Sequence, residues 1–309
     1  MDAGSRKSGT VRYSPARPPR APAVTRRDLL DQATSRLAAA GVDSPRRAAE
    51  WMLEETTGDD RVAFLSRPDT EVDAAAVALF GRMVERRMSR EPVQYVLGHA
   101  DFYGLRLSVT PAVLIPRPET EEVVEEALRR VCGHERPWVL DVGTGSGAIA
   151  LAVKHERPDA EVFAVDVSAE ALAVASANAA RLGLAVTFVR ADALRPQVAA
   201  DVPPTFDLLV STPPYVPASE AAELEPEVRD HEPPLALFVD DADPLRFYRA
   251  LAGHAEALLR PGGWLVAETH ADHGAAVRDL FADAGLDAAG VLPDLAGRDR
   301  IALAQKAPG

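Results

Sequence analysis

An apolar run that turns through three glycines and at once enters a second apolar run leaves a chain few ways to fold. Here Trp138–Val142 leads into Gly143-Thr144-Gly145-Ser146-Gly147, and the apolar residues 148–153 follow without a break. The first run suits a strand buried on both faces, and the second suits the start of a helix. The glycines let the backbone turn sharply and let a ligand approach with no Cβ in the way, beneath the free N–H groups of the helix start.

Nineteen residues beyond Gly147, Asp166 closes the next apolar run, Glu161–Asp166, where an acid accepts hydrogen bonds from both hydroxyls of a ribose. Gly143, Gly145 and Ala148 also satisfy the G-x-G-x-x-A spacing of dinucleotide sites, a weak signal when alone. Two features favour a single nucleoside. Gly147 is an additional glycine, and Asp192 follows a third run, residues 186–190, at the place an adenine would occupy. Two carboxylates repel a pyrophosphate and attract a cation, so the expected cofactor is S-adenosylmethionine. Its expected holders are Gly143, Thr144, Gly145, Ser146, Gly147, Asp166, Asp192 and Ala193.

A fourth apolar run, residues 207–210, ends in Ser211-Thr212-Pro213-Pro214-Tyr215. Proline has no ladder N–H and a fixed φ, so the pair stops the strand in a stiff loop. That loop offers the Thr212 hydroxyl, backbone carbonyls and the Tyr215 ring, a set suited to a flat group carrying an NH2. By itself Pro-Pro-Tyr is an ordinary strand-ending turn. It gains meaning because the glycine loop, Asp166, Asp192 and Thr212 would all lie at the carboxyl ends of strands in one parallel sheet.

The rest of the chain is read around this centre. Its 309 residues suffice for a full α/β domain and a smaller one. No apolar run approaches the length of a membrane span, and the N-terminus lacks the apolar stretch of a signal peptide, which reads as a cytoplasmic protein. Cys132 is the single cysteine, so thiolate clusters are excluded; His270 and His273 stand three apart and read as a solvated pair, so no metal is expected. Residues 1–27 carry a net charge of +6 within a chain total of −13, leaving −19 on residues 28–309. A body so acidic disfavours an extended nucleic-acid footprint.

Residues 1–24 hold four prolines among Arg, Ser and Gly and read as a disordered basic tail. From Thr25 the texture is helical. Thr25 and Asp28 form a capping box for a helix ended by Gly41, Ser44-Pro45 supply the cap and first turn of a second, and a third spans residues 73–88. Residues 98–109 read as a hairpin turning at Tyr103-Gly104, and residues 111–118 as a rigid connector before an acid-rich helix. The stretch from Pro116 to Thr120 reads either as a capped helix start or as a lid over the neighbouring site. Residues 216–234 read as a long acidic loop, a substrate-side flap or a solvated connection. A helix over residues 244–259 is ended by Pro261-Gly262-Gly263, a fifth strand covers residues 264–268, a helix covers 272–284, and two closing strands lie near 289–291 and 300–303.

Taken together, Gln94-Tyr-Val-Leu-Gly98, Asp101-Phe-Tyr-Gly104, residues 113–121, Asp141-Val-Gly-Thr-Gly-Ser-Gly147, the Pro-Pro-Tyr loop, Glu227-Val-Arg-Asp230 and Asp294-Leu-Ala-Gly-Arg-Asp299 resemble the release-factor glutamine methyltransferases, the HemK-like family. The likeness covers nearly everything after the tail. It implies an α/β fold with a doubly wound, seven-stranded Rossmann-like methyltransferase sheet and a small N-terminal helical domain joined by a β-hairpin. The corresponding domains are 25–97 for docking a release factor, 98–118 for hairpin and connector, and 119–309 for the methyltransferase.

The implied reaction methylates, from S-adenosylmethionine, the side-chain amide nitrogen of the glutamine in the Gly-Gly-Gln motif of class I peptide-chain release factors. The implied catalytic residues are Thr212, Pro213, Pro214 and Tyr215; these four, with Phe102 and Glu119, are expected to meet the substrate. The family reads Asn-Pro-Pro-Tyr, with the Asn side-chain oxygen and the next backbone carbonyl gripping the two amide N–H groups, and this chain has Thr212 in that place. Three alternatives stand beside this reading: a ribosomal-protein glutamine methyltransferase, a nucleic-acid amino-methyltransferase, and a cofactor-binding protein disabled at Thr212.

Overall fold

The computed structural model describes Met1, residues 24–195, Val198, Val202, Pro203 and residues 205–309. The tail expected over residues 1–24 lies outside these residues apart from Met1 and Val24. Two compact units are present, Met1–Val84 and Glu85–Gly309.

The first unit is helical: α1 (Arg26–Ala39), α2 (Pro45–Thr57), α3 (Arg61–Ser66) and most of α4 (Ala74–Met88). The Thr25 hydroxyl accepts from the Asp28 N–H at 3.2 Å while the Asp28 carboxylate accepts the Thr25 N–H at 3.0 Å, the expected capping box. Leu29, Leu30, Ala33 and Leu37 then bury one face of α1. Ser44 departs from expectation. Its φ of 47° is left-handed rather than extended, and its side chain makes no cap bond, so Pro45 alone sets the start of α2.

The division after Val84 precedes the boundary expected at residue 97. The reason is local: Arg86 donates to the carbonyls of Tyr95 and Val96 at 3.0 and 3.3 Å, and the Tyr95 hydroxyl donates to the Val113 carbonyl at 2.6 Å. These bonds tie α5 (Val93–Leu97), too short to leave a periodic signal, to the second unit.

In that unit β1 (His99–Phe102) and β2 (Leu105–Ser108) pair as the expected hairpin, with Tyr103 and Gly104 both at positive φ in the turn. Next come α6 (Pro118–Arg130), β3 (Trp138–Val142), α7 (Ala148–Glu156), β4 (Glu161–Asp166), α8 (Ala169–Leu182), β5 (Thr187–Arg190) and β6 (Phe206–Ser211). After a two-residue β7 (Val216–Pro217) come a 3-10 turn over Ala218–Glu223, α9 (Pro226–His231), α10 (Pro234–Leu237) and β8 (Phe238–Val239), which pairs in parallel with β7. The long acidic loop expected here is thus largely ordered. Pro226 and Pro234 each stand at a first helical position, where the missing N–H costs nothing.

The chain closes with α11 (Arg246–Leu258), β9 (Leu259–Glu268), α12 (Gly274–Asp283), β10 (Asp287–Pro293) and β11 (Asp299–Gln305). Pro261-Gly262-Gly263 does not separate helix from strand as expected; it lies within β9 as an irregularity. Phe206 pairs with Leu259, yet Leu208 pairs with Trp264, so extra residues of β9 bulge out between two rungs.

Seven strands form one sheet in the order β10-β11-β9-β6-β3-β4-β5, parallel from β9 to β5 and antiparallel at β10 and β11. Alternate residues face opposite sides. Val139, Leu208, Val210 and Val266 pack under α6 and α7, whereas Leu140, Leu209, Leu265 and Ala267 pack against α11 and α12. Each valine or leucine among them contributes on the order of 1.5–3 kcal/mol on burial, enough to fix which face every strand presents. No helix among the described residues is long and apolar enough to cross a membrane.

Candidate active site

The carboxyl ends of β3, β4, β5, β6 and β9 converge on a cavity of about 360 Å³. Its wall includes Gly143, Thr144, Gly145, Ser146, Asp166, Asp192, Ala193 and Thr212 to Tyr215, so residues expected on four separate strands meet around one space.

The glycine loop is built onto β4. The N–H groups of Gly143 and Thr144 donate to the Val165 carbonyl at 2.8 and 3.0 Å. Gly143 and Gly145 have φ of 79° and 55°, and a Cβ at either would meet nothing within 4 Å, so their bareness leaves space for a ligand. Gly147 does not line the cavity. At φ 85°, a Cβ there would stand 3.0 Å from Leu151 and 3.3 Å from Ala175, so this glycine serves the packing of α7 against α8.

Asp166 accepts the Gly145 N–H on Oδ2 and the Ser168 N–H on Oδ1, each at 2.9 Å. Burial raises its pKa against these bonds, which favour the carboxylate. Asp141, 1% exposed at the end of β3, accepts the Thr144 hydroxyl at 2.7 Å and the Ala150 N–H at 3.2 Å on Oδ2, while its Oδ1 is buried without a partner. Burial, with the charge of Asp166 adding, pushes its pKa up to about 7. Asp192 caps its own loop through the Leu194 N–H at 2.9 Å. Across the site Ser211 donates to the Val142 carbonyl at 2.6 Å, tying the start of the Pro-Pro loop to the glycine turn.

The Thr212 hydroxyl makes no hydrogen bond to another described residue and stands on the cavity wall. Tyr215 is held instead: its hydroxyl donates to Glu268 Oε1 at 3.0 Å, and Thr120 donates to Oε2 of the same carboxylate at 2.7 Å. Burial raises the pKa of Glu268, with the two hydroxyls and the Arg300 charge opposing.

Two expected substrate residues are not on the wall. Phe102, 1% exposed, is in the core beneath β3 and α6, because the alternation of β1 turns it inward. Glu119 is displaced by one position: its neighbour Thr120 lines the cavity, as do Pro116 and Arg117, so this stretch is both helix start and wall. Glu268 and Asn178 carried no expectation. The buried Asn178 donates to the Ser108 and Ser146 carbonyls at 3.0 Å each and accepts the Ser108 N–H at 2.7 Å, joining hairpin to glycine loop. An acid closing the apolar run before residue 268 was the signal available for Glu268; Asn178 inside an alanine-rich helix gave none.

The open glycines, the unpartnered Asp141 oxygen, two further acids and an apolar floor of Ala148, Ile149, Val165 and Leu251 suit a nucleoside bearing positive charge.

Residues 28–98 match the family model described as the PrmC N-terminal domain, and residues 139–231 match a methyltransferase domain. The chain is 44% identical over 283 residues to the release factor glutamine methyltransferase of Deinococcus radiodurans, across 92% of this chain and 99% of that one. It is 44% identical over 286 residues to the protein of the same name from Moorella thermoacetica, again across 92% and 99%. Among solved structures, the hMettl16 catalytic domain in complex with MAT2A 3'UTR hairpin 6 gives a TM-score of 0.52 at 17% identity, covering 76% of this chain and 82% of that one, a likeness of fold alone.

Proposed function

Because the chain belongs to the release factor glutamine methyltransferase family, we propose that it methylates the side-chain amide nitrogen of the glutamine in the Gly-Gly-Gln motif of a class I peptide-chain release factor. The proposed methyl donor is S-adenosylmethionine. When bound it supplies an electrophilic methyl group on a sulfonium.

The residues of the cavity fit that donor. Gly143 and Gly145 leave room for its amino-acid end, Asp166 and Asp192 offer acceptors for ribose hydroxyls and the adenine amine, and the apolar floor takes the base. On the substrate side, the Thr212 hydroxyl and the Pro213 carbonyl act as acceptors for the two N–H groups of the target amide. An amide nitrogen is a weak nucleophile because its lone pair is delocalised. Gripping both hydrogens turns that lone pair out of the planar arrangement and aims it, and fixed orientation supplies much of the remaining rate. The Thr212 hydroxyl, having no other partner among the described residues, is available to accept.

The observation that carries this reading is the shared wall. β3 and β6 are neighbours with Val142 opposite Ser211, so the glycine turn and the Pro-Pro-Tyr loop leave adjacent strands into the same cavity. We assign the docking of the release factor to residues 25–97 and place the activity in the cytoplasm, where release factors work.

The test is incubation with S-adenosylmethionine labelled on its methyl group, a class I release factor, ribosomal proteins and RNA. Label mapped by mass spectrometry to the Gly-Gly-Gln glutamine alone is expected. Label on a ribosomal protein or on RNA, or cofactor binding with no transfer, overturns the reading.

A further inference from the structure

The carboxylate of Glu268 is 2% exposed at the end of β9, on the wall of the cavity. Ser211 is paired with Ala267, so the next residues along the two parallel strands, Thr212 and Glu268, lie side by side. Both carboxylate oxygens are taken by hydroxyls that themselves belong to the wall: Tyr215 donates to Oε1 at 3.0 Å and Thr120 to Oε2 at 2.7 Å. Arg300 approaches Oε1 at 3.9 Å and is itself held by Asp294 at 3.4 Å. A buried charge of this kind is a poor way to stabilise a fold, since an apolar side chain of similar volume serves as well or better. What it gives is fixed direction. A tyrosine on a cavity wall whose hydroxyl is free can swing about its side-chain torsions; one whose hydroxyl is pinned cannot.

We propose that Glu268 is a positioning residue for methyl transfer, acting through Tyr215 and Thr120 to hold the wall against which the substrate amide is oriented. Three elements meet at this carboxylate: the loop after β6, the first turn of α6 and the end of β9. It touches neither reactant in this role. Its effect is on the angle at which the amide presents its nitrogen, a quantity to which a transfer rate responds steeply and a binding constant hardly at all.

The inference rests on the function proposed above, and the experiment separates the two. The kcat, the KM for the release factor and the Kd for S-adenosylmethionine are measured for the unmodified chain, for Glu268→Gln, for Tyr215→Phe and for the double variant. Glutamine keeps the shape but cannot accept from both hydroxyls on equal terms. The expected result is a fall in kcat of about tenfold for each single variant, with KM and Kd within about twofold of the unmodified chain, and no further fall in the double variant. An unchanged kcat in Glu268→Gln, or a double variant showing the product of the two single losses, overturns the proposal. Should Glu268→Gln fail to fold, Thr120→Val is compared in the unmodified and Tyr215→Phe backgrounds. Loss only in the first is expected; equal loss in both, or none in either, overturns the proposal. An unmodified chain that methylates no release factor overturns the function instead.

Discussion

The N–H of Gly145 donates to Oδ2 of Asp166 at 2.9 Å, so the acid proposed to meet the ribose also holds the glycine loop. Ser168 donates to the other oxygen at 2.9 Å. In Asp166→Asn one of these donors meets an NH2 group instead of an acceptor. Bonds to a charged group are worth about 1.5–3 kcal/mol, so cofactor affinity should fall about ten- to hundredfold. Titration calorimetry with S-adenosylmethionine reads the change directly; affinity within twofold of the unmodified chain would show that Asp166 is not a holder of the cofactor.

The glycines of the loop should separate into two behaviours. Gly147→Ala sets a Cβ 3.0 Å from Leu151 at a φ of 85°, so it should lower stability by about 1–3 kcal/mol from strain and crowding, visible as a lower melting temperature without cofactor. Gly145→Ala, with nothing within 4 Å of the new atom, meets backbone strain alone in the free protein. Its larger effect should be on cofactor binding.

Thr212 is the chain's departure from the family pattern. A hydroxyl has a shorter reach than a carboxamide, and a lengthened hydrogen bond at the target nitrogen costs about 1–3 kcal/mol. Thr212→Asn should therefore raise kcat on a release factor by about ten- to hundredfold, and Thr212→Val, which keeps the shape and removes the acceptor, should lower it. Steady-state rates at saturating cofactor decide the matter. If asparagine brings no gain, threonine is not the weaker acceptor.

Asp141 predicts a pH dependence of stability. Its pKa in the folded chain is raised to about 7 from 3.8, so the folded state holds a proton that the unfolded state releases. The stabilisation is complete below the unfolded value and is lost as pH rises through the folded one. At about 1.4 kcal/mol per unit this amounts to a few kcal/mol, lost between about pH 4 and pH 7. Urea denaturation of Asp141→Asn should show that part of the slope removed, with a gain over the unmodified chain at pH 8. An identical slope in both proteins would remove Asp141 as its source.

Much of this site was legible because local chemistry dictated it. Gly143 and Gly145 had to be bare, Asp166 had to end a strand, and Pro213-Pro214 had to stop one; no distant contact was needed to infer these. What was not legible depends on partners far along the chain. Phe102 looked available for substrate until the pairing of β1 with β2 turned it to the core. Gly147 read as a third ligand glycine, yet its bareness answers to Leu151 on its own helix and to Ala175 on the next. Glu268 acquires its role from Thr120 and Tyr215, separated from it by 148 and 53 positions, a relation that no motif spacing encodes.

The excursion in β9 has a consequence of parity. From Phe206 and Leu259 the two strands lose step, and they regain it at Leu208 and Trp264. Side chains alternate between faces, so the number of residues in that excursion decides which way every later side chain of β9 looks. Shortening it by one would turn the carboxylate of Glu268 over to the opposite side of the sheet; shortening it by two would bring it back. The facing of the carboxylate at the far end of the strand thus inherits an odd-or-even choice made at Arg260 to Gly263.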